Sequence, residues 1–346
     1  MTSEITEHAE GNDDQVLKGC AYQEDFFYNR AANGLRKFEP RAWRNGRLVG
    51  RLPFTVRRQG GLFFFGGPPS WAHIAEPILA SDLSDEDKST VLGELVLQLP
   101  RWASLRFVCN PQQNDQIYIQ VFKEAGFEHS TQSTYLALPS DLSVMDPNND
   151  NGLRKKRRDS IKCAQRKVAI TEDLSTEQFT EFYGKNLKIQ NKIYYDDLQI
   201  VTDIIANGRA AGNVVIYTAI AKKESVGSDV AEVHVGDIVA SIAIVYGSCR
   251  CYYWLSTRLQ TTGFSDTVEV LILHAVEQAK LRGVVFDADG VSTNGTKALY
   301  ERLKFPHTAE RNIFTRDDTH SVVQKVGKPI IDLARPFVRF VKRISP

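Results

Sequence analysis

Two carboxylates, Asp287 and Asp289, alternate at the end of a short apolar run, in the segment Phe286-Asp287-Ala288-Asp289-Gly290. Carboxylates there can take a proton from an attacking amine or position that amine. A DxD pair can also hold a divalent metal in glycosyl transfer, but no nucleotide-sugar signature accompanies it. Capping of the loop is the competing role. Tyr300, in the helix that follows, can protonate a leaving group, although a Tyr in such a helix also simply packs. A second candidate is the loop Thr262-Gly263-Phe264-Ser265-Asp266. A Gly beside a helix start exposes backbone N–H groups and the positive end of the helix dipole, which can hold a pyrophosphate. Any helix start carries a Ser or Asp cap, so the loop alone is a weak signal. Four further residues are candidates to touch substrate: Trp71, Tyr253, Lys297 and Arg157. Trp71 closes the rigid loop Gly66-Gly67-Pro68-Pro69-Ser70, as a pocket wall or as a structural plug. Tyr253 sits in an aromatic strand. Arg157 belongs to the basic run Arg154 to Lys167, which reads as a solvated helix face, a patch for a phosphate-rich ligand, or a nuclear signal. No Ser-His-Asp, HExxH, Walker or GxGxxG pattern appears, and the His residues are few and scattered.

The elements that must position these residues occur twice. Gly283 to Phe305 reads as strand, polar loop and helix, and Leu105 to Phe127 repeats that order. The ending Phe122-Lys123-Glu124-Ala125-Gly126-Phe127 parallels Tyr300-Glu301-Arg302-Leu303-Lys304-Phe305. Upstream, Gly46 to Leu52 parallels Gly236 to Ile242. Each opens a hairpin, with Leu62 to Phe65 as partner in the first copy and Cys251 to Leu255 in the second. Helices are expected near 84–99 and 266–281. A repeat this long is a duplicated domain, not a solenoid unit. Between the copies, 140–152 is crowded with Asp, Asn, Ser, Pro and Gly. Ser175 to Gln178 has the pattern of a capping box. A further helix, capped by Asp196 or Asp197, is expected to stop at Asn207-Gly208. The expected organisation is an acidic, disordered 1–14, a first domain at 15–140, a linker and basic helix at 141–168, and a second domain at 169–320. A basic amphipathic helix follows at 328–346. The fold class is α/β, two tandem domains, each a mixed sheet flanked by helices, without the regular alternation of a doubly wound nucleotide fold.

The 346 residues, 42% of them apolar, allow two cores. A net charge of +1 gives no global pull toward nucleic acid or membrane. Five Cys without CxxC or zinc spacing suit a reducing compartment and no resident metal. No secretory signal and no membrane span is read, so a cytoplasmic protein is expected. The helix at 329–346, with Leu333, Phe337 and Phe340 on one face and Arg335, Arg339 and Lys342 on the other, docks on its own domain or touches an anionic membrane surface.

The order of elements, the Leu299 to Phe305 ending and the helix after Thr262-Gly263 resemble the GNAT acyltransferase superfamily. Two such domains in tandem are similar to the FemAB-like transferases, with matching features in the basic run, in Gly236 to Ala240 and in Phe286 to Gly290. Two departures stand out. Gln260 to Ser265 lacks the second small residue of the usual CoA loop, and Lys304 replaces the usual Gly before Phe305. The resemblance implies attack of an amine on an activated acyl carbon, with Asp289 or Asp287 as base, backbone N–H groups for the oxyanion and Tyr300 as acid. It implies no tightly bound cofactor and acyl-CoA or aminoacyl-tRNA as co-substrate. The acceptor would be a small-molecule, sugar or lipid-linked amine of a cell-envelope precursor. tRNA is then a possible partner and DNA is not. The competing readings are a non-catalytic duplicated scaffold in an envelope or surface-polysaccharide assembly, and an RNA-binding module using Arg154 to Lys167.

Overall fold

The computed structural model describes residues 17–59, 63–111, 115–141, 145–149, 152–189, 198–227, 230–259, 261–290 and 293–317. The acidic start, Gln260, the caps Asp196 and Asp197, and the helix at 328–346 lie outside the described residues. The helices are α1 (Asp25–Ala31), α2 (Asp85–Leu97), α3 (Asp115–Glu124), α4 (Lys155–Lys167), α5 (Thr176–Ile189), α6 (Leu198–Ala210), α7 (Thr267–Leu281) and α8 (Asn294–Arg302). The strands of the first half are β1 (Arg36–Phe38), β2 (Arg41–Arg44), β3 (Arg47–Arg51), β4 (Phe54–Gln59), β5 (Phe63–Gly67), β6 (Ile78–Leu79), β7 (Ser104–Cys109) and β8 (Glu128–Ala137). Those of the second are β9 (Val168–Thr171), β10 (Val214–Ala221), β11 (Ser225–Gly227), β12 (Val230–Val233), β13 (Ile238–Tyr246), β14 (Arg250–Arg258), β15 (Val285–Asp287) and β16 (His307–Arg316).

Local chemistry accounts for many of the boundaries. Ser84 caps α2 by accepting from the Asp87 N–H at 3.1 Å. The capping box at α5 is reciprocal: the Gln178 N–H donates to Ser175 Oγ at 3.2 Å, and the Ser175 N–H donates to Gln178 Oε1 at 3.0 Å. α6 does not stop at Asn207-Gly208 but runs to Ala210. Gly208 is used for packing instead, since a Cβ there would meet Val214 at 2.2 Å. The two repeat endings close alike. The Phe127 N–H donates to the Phe122 carbonyl at 2.9 Å, and the Phe305 N–H to the Tyr300 carbonyl at 3.3 Å. Such closures need a left-handed residue before the aromatic. Gly126 takes φ +82°, and Lys304, where glycine would be unstrained, takes φ +56°.

The expected hairpin of the second copy is present as β13 and β14. That of the first copy is not. Its strand is broken at Leu52-Pro53, because Pro offers no N–H to a ladder. β3 therefore joins β2 and β6 in a separate three-stranded sheet, and β4 becomes the partner of β5.

One eleven-stranded mixed sheet runs through both halves, in the order β1-β4-β5-β7-β16-β8-β15-β14-β13-β10-β9. Its centre is a reciprocal exchange. The last strand of the second half, β16, lies between β7 and β8 of the first, and β8 in turn pairs with β15. Residues far apart in sequence are thereby brought to the ends of β7 and β15. Two cores fill the halves, one around Phe54, Phe107, Phe122 and Phe314, the other around Phe286, Tyr300 and Leu303. A third joins them, with Tyr22, Phe27 and Ile74 packed against Phe179, Ile204 and Trp254. Among the described residues, no helix is long and apolar enough to cross a membrane.

Candidate active site

At the end of β15 the chain turns sharply, with Asp289 at φ +60° and Gly290 at φ +85°. A left-handed non-glycine residue is uncommon and costs energy, although Asp tolerates it better than most. The turn sends the two carboxylates to different partners. Asp287 is fully buried, at 0% exposure. Its Oδ2 accepts from Arg250 Nη1 at 2.8 Å. Its Oδ1 accepts from Thr134 Oγ1 at 2.5 Å and from the Asp289 N–H at 2.8 Å, with Arg311 Nη2 2.9 Å away. With every side occupied, Asp287 is a counter-charge out of reach of a substrate. Asp289, whose side chain is 2% exposed, accepts from Arg311 Nη1 at 2.8 Å through Oδ1. Its Oδ2 takes both the Tyr22 hydroxyl and His73 Nδ1 in short contacts. Two carboxylates and two guanidiniums thus neutralise one another, as buried charges must.

His73 is the open end of this network. Its side chain is 43% exposed while the carboxylate behind it is closed off. Since Asp289 is an acceptor, Nδ1 carries the donated proton and Nε2 keeps the lone pair in the neutral ring. Burial works to lower the His73 pKa, but the charge and hydrogen bond of Asp289 outweigh it, so the value is raised. For Asp289 burial works upward, but His73 and Arg311 outweigh it and hold the carboxyl well below the usual range. Burial and then the Asp289 charge push the Tyr22 hydroxyl up, so Tyr22 acts as a donor. A buried carboxylate that orients an imidazole, leaving its second nitrogen outward, is an arrangement for general base and acid chemistry.

His73 lies two residues beyond the Gly-Pro-rich stretch that ends in Trp71. Trp71 is in the left-handed region at φ +67°, and its carbonyl accepts from Trp254 Nε1 at 2.9 Å, which ties the loop to β14. Its ring lies half-buried, edge-on to Tyr183 at 6.4 Å. Gly67 lets this loop leave β5, because a Cβ there would meet the Arg106 carbonyl oxygen at 2.5 Å.

The other expected site residues fall in two groups. Tyr300 is buried, and its hydroxyl donates to the Ala288 carbonyl at 3.0 Å, between the two Asp residues. It braces the turn; burial pushes its pKa up. Half-buried Tyr253 packs against the same core, its hydroxyl pushed up by burial to about 12. The second group lies around α4. The loop Thr262–Phe264 forms a short 3-10 turn with Phe264 buried. Asp266 makes no side-chain cap for α7; its carboxylate accepts from Arg157 Nη1 at 3.1 Å and from Ser160. Arg157 also pairs with buried Glu269. The Gly263 carbonyl accepts from Lys167 Nζ at 3.0 Å, and the Ser265 carbonyl from Arg258 Nη1 at 2.7 Å. The expected pyrophosphate cradle therefore anchors the basic helix, and carboxylates already occupy the positive end of α7. Beside it is a cleft of about 590 Å³ lined by Arg154, Lys156, Arg157, Arg302 and Lys304, with Glu301 as the one acid among its described residues. Exposed Lys297, 3.9 Å from Glu301, lies on the same helix as Glu301 and Arg302.

His73, Tyr22, Arg250, Arg311 and Thr134 were not among the expected residues. Only the charge of Arg311 inside an otherwise strand-like Arg311 to Thr315 gave a sequence sign. No family model matches the sequence, and no curated protein does. Solved structures do. The crystal structure of FemX aligns with 89% of this chain and 95% of its own, at TM-score 0.61 and 10% identity. The chain has a FemX-like fold. A conserved protein of unknown function from Bacteroides thetaiotaomicron VPI-5482 aligns over 84% of this chain and 89% of its own, at TM-score 0.53 and 10% identity. The mixed α/β class expected from the sequence is the one found, and its overall fold is like that of FemX.

Proposed function

We propose that this protein transfers an acyl or aminoacyl group to an amine, with His73 as the base and acid of the reaction. The observation that carries this reading is an exposed imidazole held by a buried carboxylate, at the seam of two halves with a FemX-like fold. The amine nitrogen attacks the acyl carbon, a C–N bond forms, and the C–S or C–O bond to the donor breaks. Nε2 of His73 takes the proton from the attacking nitrogen and returns it to the leaving sulfur or oxygen. Asp289 keeps the ring oriented and stabilises its charged form, while Arg311 and Tyr22 keep Asp289 ionised.

The donor is a phosphate-bearing carrier, acyl-CoA or aminoacyl-tRNA, and the cationic cleft between α4 and α8 is its seat. Lys304 supports this. A lysine in a left-handed position where glycine would be relaxed is strain retained beside a charged cleft. The acceptor is a small-molecule, sugar or lipid-linked amine of an envelope precursor, and contact with an anionic membrane would fall to residues 329–346, outside the described structure. The reading as a non-catalytic scaffold draws on one observation, the carboxylates of Asp266 and Glu269 at the start of α7.

The test is to incubate the protein with acetyl-CoA, a long-chain acyl-CoA and a pool of charged tRNA, each with small amines, and follow cleavage of the thioester or ester. His73→Ala is expected to slow transfer by about 10²- to 10⁴-fold, the usual contribution of a positioned acid–base group. Equal turnover by wild type and His73→Ala would remove His73 from the chemistry. No cleavage of any donor would favour the scaffold.

A further inference from the structure

A cavity of about 430 Å³ lies between the halves, lined among others by Lys18, Glu76, Lys88, Asn110, Arg250 and Tyr252, and His73 is not part of its wall. Its size falls within the roughly 300–1,000 Å³ of ordinary small-molecule sites. Its wall is built from polar groups that are themselves buried. Asn110 is 5% exposed and Glu76 7%. The Asn110 N–H donates to Glu76 Oε2 at 2.7 Å, and Asn110 Nδ2 donates to Glu76 Oε1 at 2.8 Å and to the Tyr252 hydroxyl at 3.1 Å. The carboxylate fixes which way this amide points, since a flipped amide would set oxygen against oxygen. Asn110 Oδ1 is left buried with no partner among the described residues. An unpartnered buried acceptor forfeits its hydrogen bond to water, and a donor supplied by a ligand would recover that loss. Asn110 and the Glu76 carboxylate thus line the cavity together with the cations Arg250, Lys18 and Lys88.

We infer that this cavity binds a small zwitterion of the α-amino-acid type. The ammonium group meets Asn110 Oδ1 and Glu76, and the carboxylate meets Arg250 and the lysines. The site touches the catalytic network from behind. Arg250 also holds Asp287, and the Tyr252 ring lies 4.9 Å from that of Tyr22, whose hydroxyl is on Asp289. Its occupant is a ligand separate from the amine that meets His73, and the inference does not depend on the proposed reaction.

Calorimetric titration of the full chain tests it, with glycine, L-alanine, L-leucine, L-lysine and L-glutamate as probes. Propionate and ethylamine, the two halves of alanine, serve as controls. At least one amino acid is expected to bind, and each half alone to bind at least about tenfold more weakly, the loss expected when a charge-assisted hydrogen bond goes. Glu76→Gln, nearly isosteric, and Asn110→Ala are expected to weaken binding by about tenfold or more while the unfolding midpoint of Glu76→Gln shows the fold intact. His73→Ala is expected to bind as wild type does, which separates this site from the transfer reaction. Binding of propionate as tight as that of any amino acid and insensitive to Glu76→Gln would overturn the inference, as would the absence of binding by all five amino acids.

Discussion

Asp289 has three partners, and their balance decides what His73 can do. Arg311 takes one oxygen, and Tyr22 and His73 share the other. Removing the charge leaves Arg311, 1% exposed, facing Asp287 alone and short of compensation. Asp289→Asn is therefore expected to destabilise the protein by about 3–5 kcal/mol, the usual cost of breaking a buried ion pair, as read from denaturant unfolding. A near-neutral result would mean that Arg311 finds other acceptors. The raised pKa of His73 fixes the direction of the pH dependence. Its pairing with Asp289 stabilises the fold fully below the ordinary value of 6.5 and is lost as pH rises through the folded value. Its neutral, base-competent form grows over that same rise, so rate and stability move oppositely there. The two carboxylates were legible in the sequence, because alternate Asp residues at a strand end are conspicuous. His73 was not, because it lies 216 positions from Asp289 in sequence and joins it only through the fold.

At the level of elements, the repeated helix endings were readable because they follow local rules of capping and turn conformation. Lys304 shows a local rule broken. It pays for a left-handed backbone that Gly126 adopts freely. Lys304→Gly is expected to stabilise the protein by about 1 kcal/mol, measured as a shift in unfolding midpoint, and to weaken binding of a phosphate-bearing donor. Stabilisation without loss of binding would leave the cleft without a role for this lysine. Strand pairing was less legible. Nothing within β16 says that it inserts between β7 and β8, since an alternating strand satisfies any partner of matching register. Phe314 makes the exchange testable. It belongs to the second half by sequence, yet it stacks on Phe122 of the first at 4.2 Å. Phe314→Ala should cost about 3–5 kcal/mol and loosen amide protection in β7 and α3. Loss of protection confined to the second half would contradict the exchanged pairing.

For the whole molecule, the exchange is what makes a site possible. Asp287 and Asp289 come from β15 and its turn, Arg311 from β16, Thr134 from β8, and Tyr22 and His73 from the N-terminal half. Neither half holds the full set, so a single sheet through both is a condition for the proposed chemistry. The duplication was legible because the same element order occurs twice in one chain. The shared network was not, since apart from the two Asp residues and Arg311 each of its polar residues is ordinary in its own segment. The positions that break backbone rules gather where function is proposed. Of the four non-glycine residues with positive φ among the described residues, Asp289 belongs to the His73 network, Trp71 lies beside it in sequence and Lys304 lines the cationic cleft.

The claim that His73 is held and tuned by Asp289 is tested most directly by titrating the His73 ring by NMR in the wild type, Tyr22→Phe and Asp289→Asn. The account predicts a wild-type midpoint above 6.5, the ordinary value. The midpoint should rise further in Tyr22→Phe, where the carboxylate loses a competing donor, and fall in Asp289→Asn. A wild-type midpoint at or below 6.5, unmoved by either substitution, would contradict it.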